Sequence, residues 1–289
     1  MIKRFKWLIS YTISCLLSII KNLFKQKTWN SGDDIVVIGN WPSFKDSIDQ
    51  DKDLFKWKDL LVVNNFVTTD YFLSLRPKYY LVADSAFFET NEKWSGELND
   101  LNNKRIKNIQ KNFTNWLINK VNWNMTLFIP LHLDISKFKK LLEKNKYIKI
   151  ERYIMNPINI NISWLRNLLY KFNFWMPTAQ NVLIAAIYIA LNMNYKNIYL
   201  VWGDHSRFED YYIDENNVLY SMDKHFYENK QKMVPLMNNW KPSKIHEELY
   251  FLYKAFKWHV LLESYSKYLG SHIINASKKS YIDAYDRLK

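Results

Sequence analysis

Four short apolar runs of this 289-residue chain each end on residues able to hold a ligand. Ile35-Val36-Val37-Ile38 is closed by Gly39 and followed by Asn40-Trp41-Pro42-Ser43; Val63 precedes Asn64-Asn65; Val82-Ala83 precedes Asp84-Ser85. The fourth, Ile198-Tyr199-Leu200-Val201-Trp202, is closed by Gly203 and followed by Asp204-His205-Ser206. A glycine at a strand end lets backbone amides approach a phosphate, and Ser43 capping the next helix would add that helix's anion-favouring N-terminus. The same residues also suit an ordinary strand-to-helix turn. Gly39-Asn40-Trp41 lacks the later glycines of a dinucleotide fingerprint, and no P-loop is present.

Two histidines have the chemistry to move a proton near neutrality. His225, within Asp223-Lys224-His225-Phe226-Tyr227, is the preferred general base because it falls in a long segment of the kind that closes over a ligand. His205, at a rigid strand end, suits a phosphate or sugar contact, with Asp204 orienting donors around it. Asp204, His205, Asp210 and His225 are ligand types for a metal, but their spacing matches no metal motif, and neither a bound metal nor a cofactor is expected.

Positioning such strand ends requires an α/β sheet, in which ligands bind beyond the carboxyl ends of the strands. The expected strands are Ile35 to Gly39, Leu60 to Asn64, Tyr79 to Ala83, Thr126 to Ile129, Ile148 to Tyr153, Asn197 to Trp202 and Trp258 to Glu263. Their near-continuous Val, Ile and Leu fit a mostly parallel sheet covered on both faces. Thr178 to Asn192 and Lys244 to Lys257 read as helices, 89–124 as a polar helical insertion, and 205–243 as a helical lid over the active face. No repeat or linker divides the chain, so one catalytic domain is expected over 29–289.

Residues 1–28 stand apart. Lys3, Arg4 and Lys6 precede an apolar stretch from Trp7 to Ile20, and Lys21, Lys25 and Lys27 follow it. The stretch is short for a bilayer span and has no small-residue cleavage site, which favours an interfacial helix on an acidic membrane surface. The net charge of +13 allows polyanionic partners, yet the basic residues are dispersed along the sequence and nucleic acid is not expected. The 12 Trp and 20 Tyr suit sugar stacking and membrane interfaces as well as a core. Cys15 is alone, which excludes an intramolecular disulfide and a cysteine-rich metal site.

The ordered segments Ile38-Gly39-Asn40-Trp41-Pro42-Ser43, Val63-Asn64-Asn65-Phe66, Ala83-Asp84-Ser85-Ala86-Phe87-Phe88 and Ile189-Ala190-Leu191 through Tyr195-Lys196-Asn197-Ile198-Tyr199-Leu200 to Gly203-Asp204 resemble glycosyltransferase family 42. That family contains bacterial lipooligosaccharide sialyltransferases with a single Rossmann-like domain, a GT-A-like variant, and a mobile lid. The skeleton is also similar to hydroxymethylpterin pyrophosphokinases and flagellin-glycosylation proteins. The resemblance implies that Asn40 and Asn64 contact the nucleotide of a cytidine-monophosphate sugar, with Asp84 near a third family asparagine and Thr178 and Gln180 as the polar pair opening the long helix. Ser206 stands where the family has a phosphate-binding tyrosine, and Trp240 or Lys241 where it has its catalytic histidine.

The implied activity is transfer of a sugar, sialic-acid-like by the resemblance, from a nucleotide-activated donor to a cell-surface glycan or lipid-linked acceptor at the cytoplasmic face of the inner membrane. The competing readings are a pyrophosphokinase-like enzyme acting on a small heterocyclic alcohol, which would need carboxylates for magnesium, and a non-catalytic membrane-attached polyanion-binding protein.

Overall fold

A computed structural model describes residues 32–39, 53–88, 97–223, 232–238 and 241–288. In chain order the strands are β1 (Asp34–Ile38), β2 (Asp59–Val63), β3 (Tyr79–Leu81), β4 (Met125–Pro130), β5 (Ile148–Tyr153), β6 (Asn197–Val201), β7 (Tyr212–Ile213), β8 (Leu219–Asp223), β9 (Lys232–Pro235), β10 (Met237–Asn238), β11 (Lys241–Pro242), β12 (His272–Asn275) and β13 (Asp286–Arg287). The α-helices are α1 (Asp70–Leu75), α2 (Glu97–Lys120), α3 (Ser136–Leu142), α4 (Ser163–Lys171), α5 (Val182–Asn192) and α6 (Ile245–Leu269). The fold is α/β with mostly parallel strand pairing, and the chain groups into two compact units.

The first unit contains Leu60–Met176. Its strands run in the order β2-β3-β4-β5, every neighbouring pair parallel. Leu61, Val62 and Val63 of β2 and Tyr80 and Leu81 of β3 are fully buried, as strands covered on both faces require. Phe113 of α2 packs its ring 5.8 Å from Tyr80 of β3, 5.8 Å from Phe138 of α3 and 4.9 Å from Phe87, so rings fill the space between helices and sheet.

The second unit combines Ser31–Asp59 with Pro177–Lys289. Its parallel strands run β13-β12-β6-β1, with Ile35 opposite Ile198 and Ile198 opposite Ile273. Leu183 through Leu191 of α5 are all buried, including Ala185, Ala186 and Ala190. A helix apolar on every side must be enclosed, and the alanines let neighbouring elements come close. Its start falls at Val182 rather than Thr178 because the side chain of Asn181 accepts the Ile184 N–H at 3.2 Å and caps the helix there.

Two further sequence expectations change. Trp258 to Glu263 lies inside α6, not in a strand. Its run of Trp, Val and Leu suits either element, and the register of α6 decides it: Ala255, Trp258, His259, Leu262, Tyr265 and Ser266 recur at helical spacing as the buried face. Across 205–243 the described residues form a 3-10 turn at Arg207–Asp210, an antiparallel sheet β7-β8-β9 and the β10–β11 pair, rather than a helical lid. Tyr212-Ile213 and Leu219-Tyr220 favour strands, and the turn between them is built locally. Asp214 Oδ1 accepts the N–H groups of Asn216 and Val218 at 3.0 and 2.7 Å, while Asn217 takes the left-handed φ of 56°.

Among the described residues no helix is long and apolar enough to cross a membrane. The segment 1–28 falls outside them.

Candidate functional site

The carboxyl end of β6 sets the site. Trp202 and His205 take left-handed φ values of 52° and 53°, turning the chain sharply out of the sheet. Gly39 makes this turn possible: a Cβ there would lie 2.2 Å from the Trp202 carbonyl oxygen. Its N–H donates to Val201 O at 3.0 Å. Gly203 donates its N–H to Ser277 Oγ at 3.0 Å, and its carbonyl accepts from Ser280 Oγ at 2.6 Å. Both glycine amides expected to face a phosphate are therefore engaged within the protein.

The turn buries His205 against His259 of α6, with ring centroids 5.0 Å apart. Hydrogen-bond logic fixes both tautomers. Because the Oδ1 of Asn181 accepts from Ile184, its Nδ2 donates to His205 Nε2 at 2.8 Å. That nitrogen also receives His259 Nε2–H at 3.2 Å, and His259 Nδ1 accepts the Tyr285 hydroxyl proton at 2.8 Å. Burial pushes the His205 imidazole down to about 4. It holds His259 well below the usual histidine range too, with the neighbouring His205 adding to the effect. Burial pushes the Tyr285 hydroxyl well up, so it stays protonated and donates. His205 is thus a neutral ring whose Nε2 already accepts two bonds, a poor arrangement for a general base.

In front of this pair opens a cleft of about 400 Å³, lined by Gln180 and Asn181 before α5, His205, Arg207 and Tyr211 after β6, Met237 and Asn238, and Glu248, Phe251, Leu252 and Ala255 of α6. Gln180 and Asn181 thereby bring the start of α5 to the cleft, and the positive end of a helix dipole favours an anion. The Tyr211 hydroxyl lies 3.5 Å from Glu248 Oε2. Burial is the main reason its pKa is pushed up from the ordinary tyrosine value to about 12, with the Glu248 carboxylate acting in the same direction and Arg207 against it. Tyr211 is consequently a donor at neutral pH. The cleft offers cation, carboxylate, hydroxyl and amide groups over an apolar wall from Phe251, Leu252 and Ala255, a pattern typical of polar small-molecule sites.

Of the residues expected from sequence, Gln180 and His205 meet in this cleft. Thr178, Gly203, Asp204 and Ser206 are in the same unit but are not among its lining residues. Asp204 is buried, and its carbonyl accepts the Tyr281 N–H at 2.9 Å. Asn64 and Asp84 belong to the other unit, where they are close in space: Asn64, at a left-handed φ of 46°, accepts the Ala83 N–H at 3.4 Å. Asp84 Oδ1 accepts the Ala86 N–H at 2.9 Å and caps the 3-10 turn Ser85–Phe87. Asn40, Ser43 and His225 lie outside the described residues. Sequence reasoning missed Asn181, Arg207, Tyr211 and Glu248. Asn181 carried a readable signal, a capping asparagine directly before an apolar run.

Among the described residues no group of three or more His, Cys, Asp or Glu could hold a metal ion. No family model matches the chain, and no curated protein does. Among solved structures it is similar to the MAf glycosyltransferase from Magnetospirillum magneticum AMB-1, at 12% identity and a TM-score of 0.47 over 90% of this chain. The chain spans about a third of that protein's length, 34%.

Proposed function

We propose that this protein is a transferase that binds a nucleotide-activated sugar and passes the sugar to a glycan or lipid-linked acceptor at the cytoplasmic face of the membrane. The observation that carries the reading is the cleft at the end of β6, where the N-terminus of α5 and Arg207 face a carboxylate and a protonated tyrosine across a space of about 400 Å³. Arg207 suits the donor phosphate, and the positive end of the α5 dipole beside it acts in the same direction. Gln180 and Asn238 suit ribose or sugar hydroxyls. Glu248, the one carboxylate among the described lining residues, is the group we assign to receive the acceptor hydroxyl proton, with Tyr211 holding it in place. The ordered strand-end segments that resemble glycosyltransferase family 42 favour a cytidine nucleotide.

A thermal-shift series with cytidine, uridine and guanosine nucleotides tests the reading, since a ligand bound only to the folded state raises the melting temperature with concentration. A cytidine nucleotide should stabilise the protein. Arg207→Ala should weaken that binding about tenfold, the loss of a charged hydrogen bond, while Glu248→Gln leaves it close to unchanged. If none of the nucleotides stabilises the protein, the reading fails.

A further inference from the structure

Helix α6 has an outer face unlike that of an ordinary surface helix, which is polar towards water. Leu249, Tyr250, Tyr253 and Val260 are 53%, 59%, 58% and 55% exposed. Their spacing of three, four and seven residues aligns them along one side of the helix for roughly 17 Å. Exposed apolar groups gathered in one stripe mark an interaction surface more than scattered ones do.

The charges around the stripe say what it meets. Lys254 Nζ lies 4.6 Å above the Tyr250 ring and 4.5 Å above Phe251, and Lys257 Nζ lies 5.8 Å above Tyr253. The carboxylates of α6 are directed elsewhere. Glu247 accepts the Lys244 N–H at 2.9 Å, Glu248 faces the cleft beside Tyr211, and Glu263 is 3.2 Å from Lys267 Nζ. The stripe therefore carries cations threaded through aromatic and aliphatic side chains. Protein interfaces are depleted in lysine at their cores. Amphipathic tyrosines and lysines whose stems lie along apolar surface are the pairing that a headgroup layer of negative charge accommodates.

We infer that the Leu249–Val260 stripe of α6 docks this unit on an anionic phospholipid surface. The inference rests on α6 alone and does not require sugar transfer. It has a consequence for delivery, because Glu248, Phe251, Leu252 and Ala255 of the same helical turns line the cleft.

The test uses the full chain with Cys15→Ser and Tyr253→Cys, labelled at the introduced thiol with an environment-sensitive dye; Val260→Cys provides a second stripe position and Asn216→Cys, in the exposed β7–β8 turn, a control. Vesicles of mixed phosphatidylglycerol and phosphatidylcholine should blue-shift the dye at 253 and 260, leave 216 unchanged, and lose their effect in high salt or when made of phosphatidylcholine alone. Three results overturn the inference: no co-sedimentation with the anionic vesicles, co-sedimentation without a shift at 253 and 260, or a shift that grows with protein concentration in the absence of vesicles, which would mean a second copy occupies the stripe. No nucleotide is present, so failure here leaves the nucleotide-binding reading to its own test.

Discussion

His205 and His259 share one bond between two neutral rings, and this makes the fold sensitive to acid. With burial lowering His205 to about 4 against an ordinary value of 6.5, both folded and unfolded chains are neutral at that site above about pH 6.5, and its contribution to stability is fully present. As pH falls below that value the unfolded chain takes up a proton that the folded one refuses, so stability declines until the pH reaches the folded value. The site is almost wholly buried, and the loss by about pH 4 is on the order of 3 kcal/mol for His205, with His259 acting in the same direction. Urea denaturation should therefore show a falling midpoint between about pH 6.5 and 4.5, and His205→Gln should reduce that slope. Equal slopes in wild type and variant would contradict the arrangement of the pair. His205 was visible from sequence as a histidine at a strand end. Its partner, 54 residues further on, was not, because a contact between a loop and a helix leaves no mark in local spacing.

The two glycines that close β1 and β6 look alike in sequence and differ in structure. At Gly39 an added methyl would meet backbone, the Trp202 carbonyl at 2.2 Å, whereas at Gly203 it would meet the side chain of Leu200 at 3.1 Å. The main chain of the tight turn that directly follows β6 has little room to withdraw, whereas a leucine can change its rotamer. Gly39→Ala should cost at least about 3 kcal/mol or prevent folding, and Gly203→Ala roughly 1 kcal/mol, as read by thermal or urea denaturation. Comparable losses at both positions would show that the approach of Gly39 to the turn after β6 is not as tight as described. Strands β1, β2 and β6 were legible from their continuous Val, Ile and Leu, and α5 from its alanine-rich run. The run at Trp258 misled because a short apolar stretch is compatible with a buried strand and a buried helical face alike. The β7–β8 hairpin was hidden by its polar turn, whose strands are only two and five residues long.

All described residues lining the cleft fall between Gln180 and Ala255, within one of the two units. Removing residues 1–28 should accordingly leave the nucleotide-dependent rise in melting temperature unchanged, whatever it does to attachment at a membrane. A truncated protein that no longer responds to nucleotide would place that segment in the site. At this scale the sequence announced an α/β fold through its alternation of apolar runs and longer polar segments. It did not announce that strand-end residues divide between two units, with Asn64 and Asp84 in one and Gly39, Gly203 and His205 in the other. Neighbours within a strand end are local in sequence, whereas membership of a unit depends on contacts across most of the chain. The pairing of β1 with β6 spans 163 residues, as from Asp34 to Asn197. During synthesis at about 5–20 residues per second, β1 leaves the ribosome roughly 8–30 seconds before the strand that receives it exists. Over that interval a run of Ile-Val-Val-Ile is without its β6 partner, a period in which a nascent chain of this kind is most open to chaperones and to association with its own copies.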